Sequence, residues 1–210
     1  MMPARRLVTL AFFFLLSLTL TPGQALALDL VEGKHYEVIA APITPKGSKP
    51  EVVEVFNFKC PHCFKLHPHM TKWASKNHDK YDIKALPIYW GKQTDAPVRA
   101  YYAGLFLKKG EAMKNGIFRT QFKDQGNIED IEELAFVAEE AGLDPVKFKK
   151  QMRAFGVTAK VSQAKSLQRS FGVNSTPTIV INGRYKIHPG KHAKGDMKRL
   201  FQIVEELAAR

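Results

Sequence analysis

Cys60 and Cys63 are the two cysteines of this 210-residue chain, and they stand in the run Phe58-Lys59-Cys60-Pro61-His62-Cys63-Phe64. Thiols at this spacing can close to a Cys60–Cys63 disulfide and reopen. With no third cysteine to pair with either, the couple cycles without internal competition. The thiolate is the species that attacks a disulfide. The run lies where a strand-like segment meets a helical pattern, so Cys60 falls at a helix N-cap. Unpaired N–H groups and the positive end of the helix dipole favour its anion there. Pro61 suits the first helical position, where a missing N–H costs nothing. His62 lies in the first turn, where its imidazole can face the same sulfur and support the thiolate. Together these features put the Cys60 pKa in the lowered range of about 3.5–7.5. A stabilised thiolate stabilises the reduced state, which makes the disulfide the stronger oxidant. Cys63 falls one turn further in, on the apolar face, and is expected to be the resolving thiol.

Two other uses of a Cys-x-x-Cys pair are less well served. A structural zinc site needs more ligands; His67 and His69 are near in sequence, but a second cysteine pair is missing. A permanently closed disulfide over so short a loop gains little from loop closure.

The elements that must position the pair are legible on both sides of it. Residues 28–50, punctuated by Pro42, Pro45, Gly47 and Pro50, read as a lead-in with a short strand. Residues 51–58 are nearly continuously β-branched, apolar or aromatic, the pattern of a central strand covered on both faces. Cys63, Leu66, Met70 and Trp73 recur at helical spacing after it, with Pro68 expected to kink the helix. Residues 81–88 form the next strand, parallel to the first by the crossover rule. From 92 to 158 the pattern turns wholly helical. One helix opens near Asp95 and stops at Gly110; another runs from Asn127 or Asp130 to Gly142; a third starts at Asp144-Pro145. A further helix spans roughly 159–171. Thr178–Ile181 and Arg184–Ile187 flank Asn182-Gly183, a strong hairpin signal, and a final helix carries Met197, Leu200, Phe201, Val204 and Leu207. The order predicts an α/β core, residues 28–91 and 159–210, interrupted by an all-helical domain over 92–158.

Two more positions carry chemistry. Glu54 interrupts the apolar strand. It is either a solvent-facing glutamate on a half-exposed strand or a buried carboxylate, costly unless paired. In the buried case Lys84, on the adjacent strand, is the expected partner, and Glu54 could shuttle the proton of Cys63. Thr176-Pro177 precedes a strand, where proline sits at the first residue or an edge. A cis Thr176–Pro177 bond would expose the Thr176 backbone to an extended chain; a trans proline opening a strand is the plainer alternative.

The first 27 residues form a separate unit. Arg5-Arg6 precede an apolar run from Leu7 to Leu20, then Pro22, Gly23 and Ala25-Leu26-Ala27. Basic, apolar and small-residue regions in that order predict a secretory signal peptide, cleaved after Ala25 or Ala27, and hence a periplasmic location. The formal net charge is +12, and losing residues 1–27 removes two arginines and no acids, leaving +10. A surface this basic favours acidic or anionic partners, but the lysines form no long tract and nucleic acid is not expected outside the cytoplasm.

Val53-Glu54-Val55-Phe56-Asn57-Phe58-Lys59-Cys60-Pro61-His62-Cys63, the preceding Gly33-Lys34-His35-Tyr36, and the helical block together resemble the DsbA family of periplasmic thiol:disulfide oxidoreductases in the thioredoxin superfamily. The resemblance spans nearly the whole chain after the leader. It implies a thioredoxin-like fold with an inserted helical domain, and an enzyme that passes the Cys60–Cys63 disulfide to reduced, unfolded secreted proteins. It also implies reoxidation by a membrane quinone reductase of the DsbB type, a monomer, and no cofactor or metal. By residue, it makes the bond before Pro177 cis, places Glu54 at the family's buried acidic position and makes Lys84 its charge partner. Thr176 departs from the valine of the prototype. Threonine there is familiar in isomerase and reductase branches, so those roles, or a specialised oxidant with a dedicated client, are the alternatives.

Overall fold

A computed structural model describes residues 29–210; the expected signal peptide lies outside the described residues. Five strands form one sheet in the order β1-β5-β4-β2-β3. They are β1 (Glu37–Val38), β2 (Glu51–Phe56), β3 (Asp82–Pro87), β4 (Thr178–Ile181) and β5 (Tyr185–Ile187). β2 and β3 run parallel, and the remaining pairs are antiparallel. Between β2 and β3 lies α1 (Pro61–Asn77). Between β3 and β4 lie α2 (Ala96–Phe106), α3 (Gly110–Phe122), α4 (Ile131–Glu140), α5 (Pro145–Met152) and α6 (Phe155–Ser170). The short α7 (Pro189–His192) and α8 (Met197–Ala208) close the chain. This is the α/β thioredoxin-like fold with a helical insertion.

β2 is the central element. Val52, Val55 and Phe56 have no exposed surface and Val53 has 4%, as the continuous apolar run predicts for a strand covered on both faces. Val52 belongs to a cluster with Leu66, Met70 and Trp73 of α1 and Leu200, Ile203 and Leu207 of α8. Val53, Val55 and Phe56 join the core of the helical insertion. There Phe56, Phe58, Tyr101 and Phe118 meet with ring centroids 5.0–6.4 Å apart. The insertion therefore shares its apolar core with the strand that leads to the cysteines.

The hairpin turn is the expected one. Asn182 (φ 51°) and Gly183 (φ 59°) are both left-handed, the form that matches the twist of a two-residue hairpin. Gly183 also lies against the lead-in segment: Ile43 donates to its carbonyl at 3.0 Å. A Cβ at 183 would sit 1.9 Å from the Ile43 carbonyl oxygen.

Two features differ from expectation. Gly110 does not close the insertion's first helix; α2 ends at Phe106, and Gly110 opens α3. Its close approach to Leu105, which a Cβ would meet at 3.0 Å, accounts for the glycine. α6 begins at Phe155 rather than 159, with Val157 adding a turn to the buried stripe of Val161 and Ala164. Pro68 lies inside α1, where the spacing put it.

Gly183→Ala should destabilise the protein by about 1–3 kcal/mol, from left-handed strain plus the collision with Ile43. Gly33→Ala, also at positive φ but in open space, should cost less. Urea denaturation midpoints of the two variants check this ordering.

Candidate active site

β2 delivers the chain to the cysteines through a turn fixed by Asn57. The Asn57 side-chain amide donates to the Ile88 carbonyl at 3.0 Å and to Gln93 Oε1 at 2.6 Å, and its Oδ1 accepts from the Lys59 N–H at 2.7 Å. The Cys60 N–H donates to the Asn57 carbonyl at 3.1 Å. Cys60 is then the N-cap of α1, extended at φ −93° and ψ 115°, with Pro61 in the first turn. Its carbonyl accepts from the N–H groups of Cys63 and Phe64 at 3.0 and 3.1 Å. Both cysteines are free thiols here, Cys60 half-buried and Cys63 wholly buried.

This placement splits the two sulfurs. The Cys60 pKa falls from 9.0 to about 5, with a hydrogen bond from the Cys63 thiol the largest influence, against the opposing effect of burial. The Thr176 side chain and the backbone N–H groups of Cys63 and His62 contribute to the same fall. Burial first, then the neighbouring Cys60, pushes the Cys63 thiol far above the ordinary range. His62 thus supports the thiolate through its backbone N–H rather than as an imidazole facing the sulfur, and its side chain is exposed.

The Thr176–Pro177 bond is cis, and the loop it belongs to lies over Cys60. The Cys60 thiol donates to the Thr176 carbonyl at 3.3 Å, a bond open only to the protonated form. Beside the pair runs a groove of about 350 Å³, walled by His62, Lys65, Thr176, Pro177, His188 and Met197 among others.

Glu54 is buried, 3% exposed, so its position in the apolar strand is no surface accident. Its partner, however, is Lys114 of α3, which donates to Oε2 at 2.6 Å and is itself 3% exposed. The Lys114 ammonium also sits 4.4 Å from the Phe56 ring centre, an additional cation–π contact. The expected Lys84 pairing is incorrect. In the parallel register Glu54 faces Ala85 and Lys84 faces Val53, so Lys84 projects from the opposite side of the sheet. There it pairs with Glu51 and, at 2.9 Å, with Asp82. Glu54 Oε1 has no hydrogen-bond partner among the described residues. Sequence reasoning missed Lys114 because it ended a helix at Gly110 and read no element between there and Asn127. The signal was a lysine inside the stripe of Met113, Ile117 and Phe118.

Among the described residues no group of histidine, cysteine or acidic side chains is arranged to hold a metal ion. A half-buried thiolate at a helix start, a buried thiol one turn on and a loop across the first sulfur are the parts of a thiol–disulfide exchange centre.

The profile of a family described as Thioredoxin matches residues 45–200. The thiol:disulfide interchange protein DsbA of Burkholderia cepacia is 29% identical over 179 residues, covering 83% of this chain and 84% of that protein. DsbA of Pseudomonas aeruginosa is 27% identical over 167 residues, 79% of each. Its crystal structure superposes with a TM-score of 0.77 at 25% identity, over 86% of this chain and 94% of that one. DsbA of Xylella fastidiosa gives 0.77 at 25%, over 86% and 97%. The fold and the paired thiols are those of a thioredoxin-superfamily oxidoreductase. Within that class the chain belongs to the DsbA family of thiol:disulfide oxidoreductases.

Alkylation by iodoacetamide should follow the thiolate of Cys60 alone, with a midpoint near pH 5, while Cys63 stays unmodified through neutral pH. Lys114→Met, which strands a buried carboxylate, should cost about 3–5 kcal/mol. Glu54→Leu combined with Lys114→Met should recover most of that loss, as read by urea unfolding of the single and double variants.

Proposed function

We propose that this DsbA-family enzyme donates the Cys60–Cys63 disulfide to reduced, unfolded secreted proteins in the periplasm, with Cys60 as the exchanging sulfur and Cys63 as the resolving one. The observation that carries the direction is the split between the two thiols, Cys60 held at about pKa 5 and Cys63 pushed up by burial. A client thiolate attacks Cys60 Sγ of the oxidised pair. The Cys60–Cys63 bond breaks, a Cys60–client mixed disulfide forms, and Cys63 leaves with the electron pair and takes up a proton. A second client thiolate then attacks the client sulfur and expels Cys60. The client loses two electrons and gains its disulfide; the enzyme is left as a dithiol. Cys60 is a good leaving group because its thiolate is stable at neutral pH.

The buried pair of Glu54 and Lys114 is the proposed acid–base group for Cys63, since a buried thiol needs a protein group to exchange its proton. The Thr176 and Pro177 segment is the proposed docking edge for the client backbone. Thr176, the departure from valine, supports the oxidant direction here, because its side chain adds to the lowering of Cys60. Pro61 and His62 shape the same helix start. The DsbA relatives support a periplasmic location, and reoxidation by a DsbB-type membrane quinone reductase would complete the cycle.

The linkage has a definite sign. In the reduced protein Cys60 falls from 9.0 unfolded to about 5 folded, so its stabilisation is fully present above pH 9 and is lost as pH falls through 5. The oxidised protein has no such titration. The reduced form should therefore unfold at higher denaturant concentration than the oxidised form at pH 7, with the gap closing toward pH 5. A more stable oxidised form at pH 7, or failure of the oxidised enzyme to form disulfides in a reduced two-cysteine peptide, would refute the donor role.

A further inference from the structure

The segment from Ser175 to Thr178 carries the loop over Cys60, and one side chain outside it bonds to both of its ends. His188 follows β5 in the chain. Its Nδ1 lies 3.1 Å from Ser175 Oγ and 3.0 Å from Thr178 Oγ1. The Thr178 hydroxyl donates its only proton to the Ser175 carbonyl at 2.8 Å. Toward Thr178 the imidazole must therefore act as donor, which fixes the proton on Nδ1. Thr178 has no exposed surface and His188 is half-buried, so this bond is partly shielded from water, while the Ser175 bond is exposed.

His188 is held in turn. Its backbone N–H donates to His192 Nδ1 at 2.9 Å, and the two rings lie 5.5 Å apart. His192 is 3% exposed and sits at the end of the short α7. The chain of contacts runs from α7 through His188 to both ends of the loop, and from the loop's Thr176 carbonyl to Cys60 at 3.3 Å. His188 also forms part of the wall of the groove beside the redox pair.

We propose that His188 is a positioning residue for client binding: its Nδ1–H fixes the Ser175–Thr178 loop at the groove so that the Thr176 backbone meets an incoming extended chain in one orientation. The hydroxyl at Thr178 and the imidazole at 188 act as a unit, the hydroxyl turned toward the Ser175 carbonyl and the imidazole filling its lone pair. The proposal rests on the reading of this loop as the client-docking edge. It adds that docking geometry is set from outside the loop, by a side chain that touches neither sulfur in the contacts described.

The test is steady-state oxidation of a reduced two-cysteine peptide by the oxidised full-length protein. His188→Phe keeps the ring and removes Nδ1; His188→Asn keeps a polar atom near the Nδ1 position. His188→Phe should raise KM about three- to tenfold, the worth of one or two ordinary hydrogen bonds, with kcat within about twofold of the parent. His188→Asn should restore KM. Should His188→Phe not fold, Thr178→Val, which removes the hydroxyl at nearly constant shape, carries the same expectation. An unchanged KM in His188→Phe or Thr178→Val, an equal fall in kcat and kcat/KM at constant KM, or an Asn variant as impaired as Phe overturns the proposal. If the unsubstituted protein does not oxidise the peptide at all, the donor function itself fails, a result distinct from any of these.

Discussion

The arrangement depends on one electrostatic asymmetry: two sulfurs three positions apart in the chain occupy opposite environments. Cys60 is at the mouth of a helix, where the backbone N–H groups of His62 and Cys63 act on its sulfur and a neighbouring thiol can donate to it. Cys63 is one turn inside, sealed by the core. Neither residue achieves this alone. Were α1 to begin one residue earlier, Cys60 would lose its cap position and both thiols would turn with the helix. Asn57 therefore matters as much as the cysteines, because its three side-chain hydrogen bonds fix where β2 stops and α1 starts.

The helical insertion is part of the same machinery. Its aromatic residues close over Phe56 and Phe58, the last apolar side chains before the cysteines, and its Lys114 reaches down to Glu54. A buried ion pair of this kind contributes little net stability compared with a well-packed apolar pair, and its loss on one side is severe. It therefore joins the insertion to the central strand at one defined pair of residues while adding little to the net stability of that contact.

Much of this was legible in the residues. Periodicity marked β2, α1, the hairpin and α8, because each has one dominant burial pattern. The N-cap placement of Cys60 followed from Pro61 and the switch in period. What escaped was pairwise and nonlocal. Lys84 and Glu54 lie on adjacent strands, but strand adjacency says nothing of which face a side chain takes; the register decides, and it puts them on opposite sides. Lys114 sits in a helix whose first residue is a glycine, the residue type that usually ends one. His188 and Asn57 act through hydrogen bonds to atoms distant in sequence, and no spacing rule encodes such bonds.

A catalyst of disulfide exchange faces a circularity: it must itself fold where other proteins wait for their cross-links. The two cysteines here are neighbours on one helix start, and the chain has no others. Around them the sheet and helices close through apolar contacts, backbone hydrogen bonds and the buried Glu54–Lys114 pair. With both cysteines in the reaction centre, no disulfide is left to brace the scaffold. Placing every cysteine in the reaction centre and none in the scaffold makes the scaffold independent of the bond the enzyme exchanges.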